Sequence, residues 1–275
     1  MTIGRLVWST SAATLLALGA ASTLAAQHGA DRWLADCRSE DWGDRPRACQ
    51  VRETGMRPAA GALRVDPGQN GGVAIYGWDR DSIGVVAKIQ ASAHSEEDAR
   101  RLVDAVRIEA AGSSIRASGP ETLWRTHWSV SFDVYVPRHT DLSLETVNGP
   151  LSVEEVSGTM DLRAQNGPVS LSGVGGDITA RVQNGPLSVE LSGTKWDGAG
   201  LDAEARNGPV DLAIPERYNA RLETGTVNGP MDVAFPLTVT LQGHLTNRIQ
   251  TTLGQGGAPV RVVTTNGPLT IRRAR

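Results

Sequence analysis

The sequence predicts an all-β fold, a parallel β-helix or solenoid-like stack of rungs of about 20 residues, preceded by an N-terminal capping region with one α-helix. Three observations predict it. The tripeptide Asn-Gly-Pro occurs six times, beginning at Asn148, Asn166, Asn184, Asn207, Asn228 and Asn266. The spacings are 18, 18, 23, 21 and 38 residues, and a worn copy, Thr246-Asn247-Arg248, marks the middle of the doubled last gap. Apolar residues alternate with polar ones on both sides of each corner. A short fixed period of this kind marks a stack in which each unit buries its apolar face against its neighbours.

The elements follow in chain order. Residues 1–26 read as a secretory signal peptide, with Arg5 in the charged leading part, an apolar stretch over 11–24 and cleavage after Ala25 or Ala26. Residues 27–60 form a leader with the two cysteines, Cys37 and Cys49. An oxidising compartment favours a disulfide between them. The alternative, a metal or redox pair, lacks Cys-x-x-Cys spacing and a nearby histidine cluster. Residues 61–147 form a β-rich cap. Its Asn70-Gly71-Gly72 is an early corner of the same chemistry, and residues 83–91 and 128–137 read as strands. Residues 95–107 read as an amphipathic helix, with Ser95 as N-cap and Ala99, Leu102, Val103 and Val106 at helical spacing.

The repeats occupy residues 148–275. Stepping back by twos from the corner gives Ala164, Leu162 and Met160 before Asn166, and Leu245, Gly243 and Leu241 before Asn247. That period is a strand with one buried face. After the corner it resumes, as in Val169 and Leu171 or Leu187 and Val189. Asn and Gly supply the positive φ of a tight corner, and Pro fixes φ where the next strand begins. Antiparallel hairpins are the competing reading of Asn-Gly. Two bends per unit favour a coil that climbs one strand spacing per turn. Each corner Asn shares the parity of the buried face. Asn148, Asn166, Asn184, Asn207, Asn228, Asn247 and Asn266 are therefore expected to form an inward ladder of amides about 4.8 Å apart.

Outward positions test the coil. Three residues before the corner lie Glu145, Arg163, Arg181 and Glu204, which would set opposite charges on neighbouring strands. Arg272, Arg273 and Arg275 would guard the last edge strand.

In order along the chain, Cys49-Gln50-Val51-Arg52-Glu53, Asn70-Gly71-Gly72, Gly77-Trp78-Asp79, the Trp128-Ser129-Val130 strand ending at Val136-Pro137, the serial Asn-Gly turns, Lys195-Trp196-Asp197-Gly198 and Leu253-Gly254-Gln255-Gly256-Gly257 carry a resemblance. Over residues 33–272 the chain resembles the bacterial putative-adhesin family of β-strand-repeat proteins, a family of unknown function with secreted members. The resemblance implies a β-helix-like fold and an envelope or extracellular location. It implies no catalytic residue.

Net charge is −3 with scattered arginines and no basic stripe, which points away from nucleic acid. After signal cleavage no stretch has the roughly 18 apolar residues of a membrane span. The five histidines, His28, His94, His127, His139 and His244, share no ligand spacing. No cofactor, metal site or serine triad is indicated. Asp211 and Asp232, each four residues past its Asn, are the carboxylates that would stack on adjacent rungs and hold a cation or do acid/base work. Asp161 and Asp202 share another register, with Thr179 between them. Trp78 and Trp196 could stack on a sugar ring, although packing a corner is their commoner role. The leading reading is a secreted or periplasmic, non-enzymatic module that uses flat polar β faces to bind a surface polysaccharide or an envelope protein. The alternatives are a polysaccharide lyase or hydrolase on a β-helix, and an envelope-stress accessory protein with a protein partner.

Overall fold

In the computed structural model, which describes residues 20–39, 45–122, 124–236 and 247–274, the Asn-Gly-Pro corners lead the chain from one sheet to the other. The N-terminal part runs α1 (Ala20–Ser39), β1 (Arg47–Met56), β2 (Leu63–Asp66), β3 (Val73–Trp78), β4 (Ile83–Ser92), α2 (Glu96–Ala105), β5 (Arg107–Ala111), β6 (Ser114–Ser118) and β7 (His127–Pro137). The corners at Asn148, Asn166, Asn184, Asn207 and Asn228 then join β8 (Leu142–Asn148) to β9 (Leu151–Glu154), β10 (Ser157–Asn166) to β11 (Val169–Ser172), β12 (Gly175–Asn184) to β13 (Leu187–Glu190), β14 (Gly200–Asn207) to β15 (Val210–Ile214) and β16 (Ala220–Asn228) to β17 (Met231–Val233). After β18 (Arg248–Leu253), the corner at Asn266 joins β19 (Pro259–Asn266) to β20 (Leu269–Arg273).

The first sheet has the order β1-β4-β7-β3-β9-β11-β13-β15-β20-β17, and the second β18-β16-β19-β14-β12-β10-β8-β2-β6-β5. Corner-bearing strands pair in parallel and in register, Asn148 beside Asn166, Asn166 beside Asn184 and Asn184 beside Asn207. Parallel pairing excludes serial hairpins at these corners. The inward side chains, Leu144, Leu162, Ile178 and Leu201 from the second sheet and Val153, Leu171, Val189 and Leu212 from the first, are all buried in one apolar cluster.

Two expectations about the stack are corrected. The first concerns order. The last corner in sequence lies between the two before it, so Asn207 pairs with Asn266, which pairs with Asn228. The Asn247 segment makes no parallel rung, because β18 runs antiparallel along β16 and covers it. Residues 241–246, which carry Leu241, Gly243 and Leu245, lie outside the described residues. Strand β20 is therefore internal and Arg272 and Arg273 guard no edge; Arg272 Nε instead donates to Asp211 Oδ1 at 2.9 Å. Arg275 lies outside the described residues.

The second concerns the amides. They form a continuous ladder, but it is exposed to solvent and not inward. Parity aims each Asn toward the core side, yet it stands beyond the last core layer, where the strand ends. Each Nδ2 donates to the neighbouring Oδ1: Asn148 to Asn70 at 3.1 Å, Asn166 to Asn148 at 3.0 Å and Asn184 to Asn166 at 2.9 Å. Asn207 donates to Asn184 at 3.0 Å, Asn266 to Asn207 at 2.8 Å and Asn228 to Asn266 at 2.8 Å. Asn247 is not in the ladder, since its Nδ2 donates to Gly229 O at 3.2 Å. Asn70 takes the remaining place. Because water reaches the broken partners, Asn184→Leu is expected to cost only about 1 kcal/mol, measured by urea unfolding. A loss above about 3 kcal/mol would mean that the amides are desolvated.

The N-terminal region continues both sheets. β2 and β3 form a first rung around Asn70, and β7, β4 and β1 extend the first sheet, β4 pairing antiparallel with both of its neighbours. Helix α2 starts where the sequence places it. Ser95 Oγ accepts from Asp98 N at 3.1 Å, and Ala99 and Val103 are buried. At its other end the Arg52 guanidinium donates to the carbonyls of Val103, at 2.8 Å, and Val106, supplying partners that a helix C-terminus lacks. Helix α2 is the one described helix within residues 61–147, and a second helix that the sequence did not suggest, α1, lies ahead of that region. Helix α1 spans the expected cleavage point, and the Cys37–Cys49 disulfide joins it to β1. Residues 1–19 of the expected signal peptide lie outside the described residues.

Candidate binding face

The outward positions of the second sheet carry the densest polar constellation. Strand register sets Glu145, Arg163, Arg181 and Glu204 side by side, and in the next column Asp161, Thr179, Asp202, Arg261 and Glu223. The ion pairs run within strands and diagonally, not only straight across. Arg163 holds Asp161 at 2.7 Å on its own strand, and Arg181 pairs with Asp202. Arg261 reaches Asp202 at 2.7 Å and Glu204 and Glu223 at 3.2 Å, and Arg248 pairs with Glu223. Half-exposed pairs of this kind contribute at most about 1 kcal/mol each to stability. Their larger effect is to hold long side chains in fixed places on a flat surface.

The electrostatics follow from these contacts. Burial pushes the Asp202 carboxyl up, but hydrogen bonds and charge from Arg181 and Arg261 outweigh it and hold the group below its ordinary 3.8. The Arg248 guanidinium chiefly holds Glu223 below 4.5, against partial burial. A carboxyl lowered in the folded chain adds stability above its unfolded value and loses it as pH falls through the folded one. The network is thus intact at neutral pH and comes apart in acid, below the ordinary values of 3.8 and 4.5. In Arg261→Gln, the Asp202 and Glu223 midpoints should rise toward those values, read by carboxyl-carbon NMR. Unmoved midpoints would remove Arg261 from the network.

Beside the network, near the corners, lies an open groove of about 500 Å³, in which Arg163, Gln165, Arg181, Gln183 and Arg206 line adjacent strands between Glu145 and Glu204. Gln165, Gln183 and Arg206 are exposed. Guanidinium groups, amides and scattered carboxylates suit a ligand rich in hydroxyls and acidic groups.

The residues singled out from sequence fare differently. Asp211 and Asp232 do not stack, because Thr270 lies between them, and Arg272 donates to both Asp211 oxygens. The inserted strand β20 undoes the pair and fills the place that a cation would need. Asp161 and Asp202 flank Thr179 as expected. Trp196 is only 5% exposed and its Nε1 donates to Gly176 O at 3.0 Å, so it packs a corner. Trp78 donates to Ser82 O at 2.8 Å, with Arg80 over its ring at 4.8 Å and Gly84 packed against its edge, which leaves little ring face for a sugar. His244 lies outside the described residues. Among the described residues, no three His, Cys, Asp or Glu side chains group as metal ligands.

Sequence reading missed Arg261, Glu223 and Arg206. A signal was present for the first two, since Arg261 and Glu223 stand five residues before Asn266 and Asn228, as Asp202 does before Asn207.

The Toastrack DUF4097 family model matches residues 102–272. The chain belongs to this family. Toastrack proteins have no established function, in keeping with the resemblance to the adhesin family drawn from the motifs. Among solved structures, a putative cell adhesion protein from Clostridium sporogenes is similar at 13% identity, covering 82% of this chain and 100% of that one with a TM-score of 0.36. A putative adhesin from Bacteroides fragilis is similar at 10%, covering 82% and 97% with a TM-score of 0.31. A putative lipid binding protein from Parabacteroides distasonis is similar at 10%, with the same coverages and a TM-score of 0.28. No curated protein matches the chain. Among the described residues of this Toastrack chain, no helix is long and apolar enough to cross a membrane.

Proposed function

We propose that this Toastrack chain is a non-enzymatic, adhesin-like β-solenoid of the cell envelope, secreted or periplasmic, and that it binds an acidic surface polysaccharide along the groove of its second sheet. The observation that carries this reading is the row Arg163, Gln165, Arg181, Gln183 and Arg206 on adjacent in-register strands. Parallel strands repeat about every 4.8 Å. A row of donors at that spacing can follow an extended polymer and contact successive sugar units. The ion network beneath it fixes Arg181 before any ligand arrives, which lowers the ordering cost of binding. The Cys37–Cys49 disulfide favours an oxidising compartment, and the N-terminal apolar stretch supplies the export signal.

The test is an incubation of the purified chain with a panel of acidic and neutral bacterial and plant polysaccharides, scoring bound protein and newly formed sugar ends. Binding to acidic members without new ends is the expected result. New ends would replace this reading with a polysaccharide-cleaving enzyme. No binding at all would replace it with a protein partner.

A further inference from the structure

The Asn-Gly pair is the sequence in which an asparagine side chain cyclises most readily, because the following glycine offers its backbone nitrogen no steric shield. This chain carries seven such pairs at corners, counting Asn70-Gly71. The ladder treats them unequally. Gly149, Gly167, Gly185, Gly208 and Gly267 each donate their N–H to the carbonyl of the next corner Asn, at 2.8 to 3.0 Å. Asn148, Asn166, Asn184, Asn207 and Asn266 also have both ends of the amide engaged in the ladder. The Gly71 N–H, like that of Gly229, has no acceptor among the described residues, but unlike Gly229 this glycine is buried, and a Cβ on it would lie 1.9 Å from Val130 O of β7.

Asn228 ends the ladder. Its Nδ2 donates to Asn266, but among the described residues nothing donates to its Oδ1 and the Gly229 N–H has no acceptor. Asn247, where a further rung would begin, donates to Gly229 O and not to Asn228. Gly229 is half-buried, with a Cβ on it 2.1 Å from Gly267 O on the ladder side. The strand that follows, β17, is three residues long and outermost among the described strands of its sheet. Outermost short strands open at the lowest free-energy cost.

We infer that Asn228 is a site of spontaneous deamidation in the folded protein, that the ladder protects the five Asn-Gly corners inside it, and that burial of Gly71 protects the corner at Asn70. In the reaction the Gly229 nitrogen loses its proton to base and attacks Asn228 Cγ. A new C–N bond forms, the Cγ–Nδ2 bond breaks, and ammonia leaves with a proton from solvent. Water then opens the cyclic imide at either carbonyl, giving aspartate or isoaspartate with no change of oxidation state. Either product replaces the amide donor to Asn266 with a carboxylate. Isoaspartate also lengthens the main chain by one methylene before β17, which disturbs the pairing of Met231 with Leu269.

The test follows deamidation at every Asn-Gly by peptide mapping and enzymatic isoaspartate methylation, with the purified chain held at mildly alkaline pH, folded or in denaturant. In denaturant the seven pairs should react at similar rates. In the folded chain Asn228 should react at least about tenfold faster than any other corner, and Asn228→Gln should abolish the folded-state isoaspartate signal. Equal rates at all corners in the folded chain, a faster interior corner, or an inert Asn228 would overturn the inference.

Discussion

Gly185→Ala is expected to lower folding stability by about 2–4 kcal/mol, far more than a surface substitution. Gly185 has φ of 150°, and a Cβ there would lie 2.2 Å from the carbonyl oxygen of Gly167. The conflict repeats up the stack, since a Cβ on Gly208 would lie 2.0 Å from Gly185 O and one on Gly267 2.2 Å from Gly208 O. One strand spacing therefore leaves no room for any side chain in this column, and an added methyl must push a neighbouring backbone aside. Urea unfolding measures the loss. Gly193→Ala separates packing from conformation, because Gly193 has φ of 70° with nothing within 4 Å of its added Cβ. It should cost only about 1–2 kcal/mol. Equal losses at both positions would show that backbone conformation, not the contact between corners, sets the glycine requirement.

Phe132→Ala should cost about 3–5 kcal/mol. Phe132 is fully buried on β7, where it pairs with Val73 of the parallel rung around Asn70 and with Ala87 of the antiparallel strand β4. It stands where the irregular opening of the chain joins the repeats, inside the one apolar cluster that spans both. The expected result is a single unfolding transition, displaced as a whole and followed by tryptophan fluorescence and circular dichroism together. If the opening segment were a separate unit, only an early transition would move and the repeats would unfold as before.

Much of this architecture was legible because local and tertiary preferences agree. The period-two runs before Asn166 and Asn184 can bury only one face, and equal 18-residue spacings stack them in register. Ser95 capped α2 as its position suggested. The order of the last rungs was not legible. Val260 and Val262 before Asn266 and Leu222 and Thr224 before Asn228 offer a similar inward pattern, so either strand fits beside β14. The end decides it, where β18 turns antiparallel to cover β16 and leaves the slot beside β14 to β19. That inversion separated Asp211 from Asp232 and brought Arg261 between Asp202 and Glu223. Helix α1 was hidden for a different reason, since its first residues lie in the apolar stretch that reads as an export signal. The exposure of the amides escaped because parity gives a direction but not the point where the core ends.

The most direct test of the account is calorimetric titration of the purified chain with a uronic-acid polysaccharide such as alginate at low salt, beside neutral dextran, and again with Arg163→Ala/Arg206→Ala. Alginate should bind, more weakly with added salt and at least about tenfold more weakly to the double variant, and dextran should not bind. Absence of alginate binding, or binding that the double variant leaves unchanged, would contradict it.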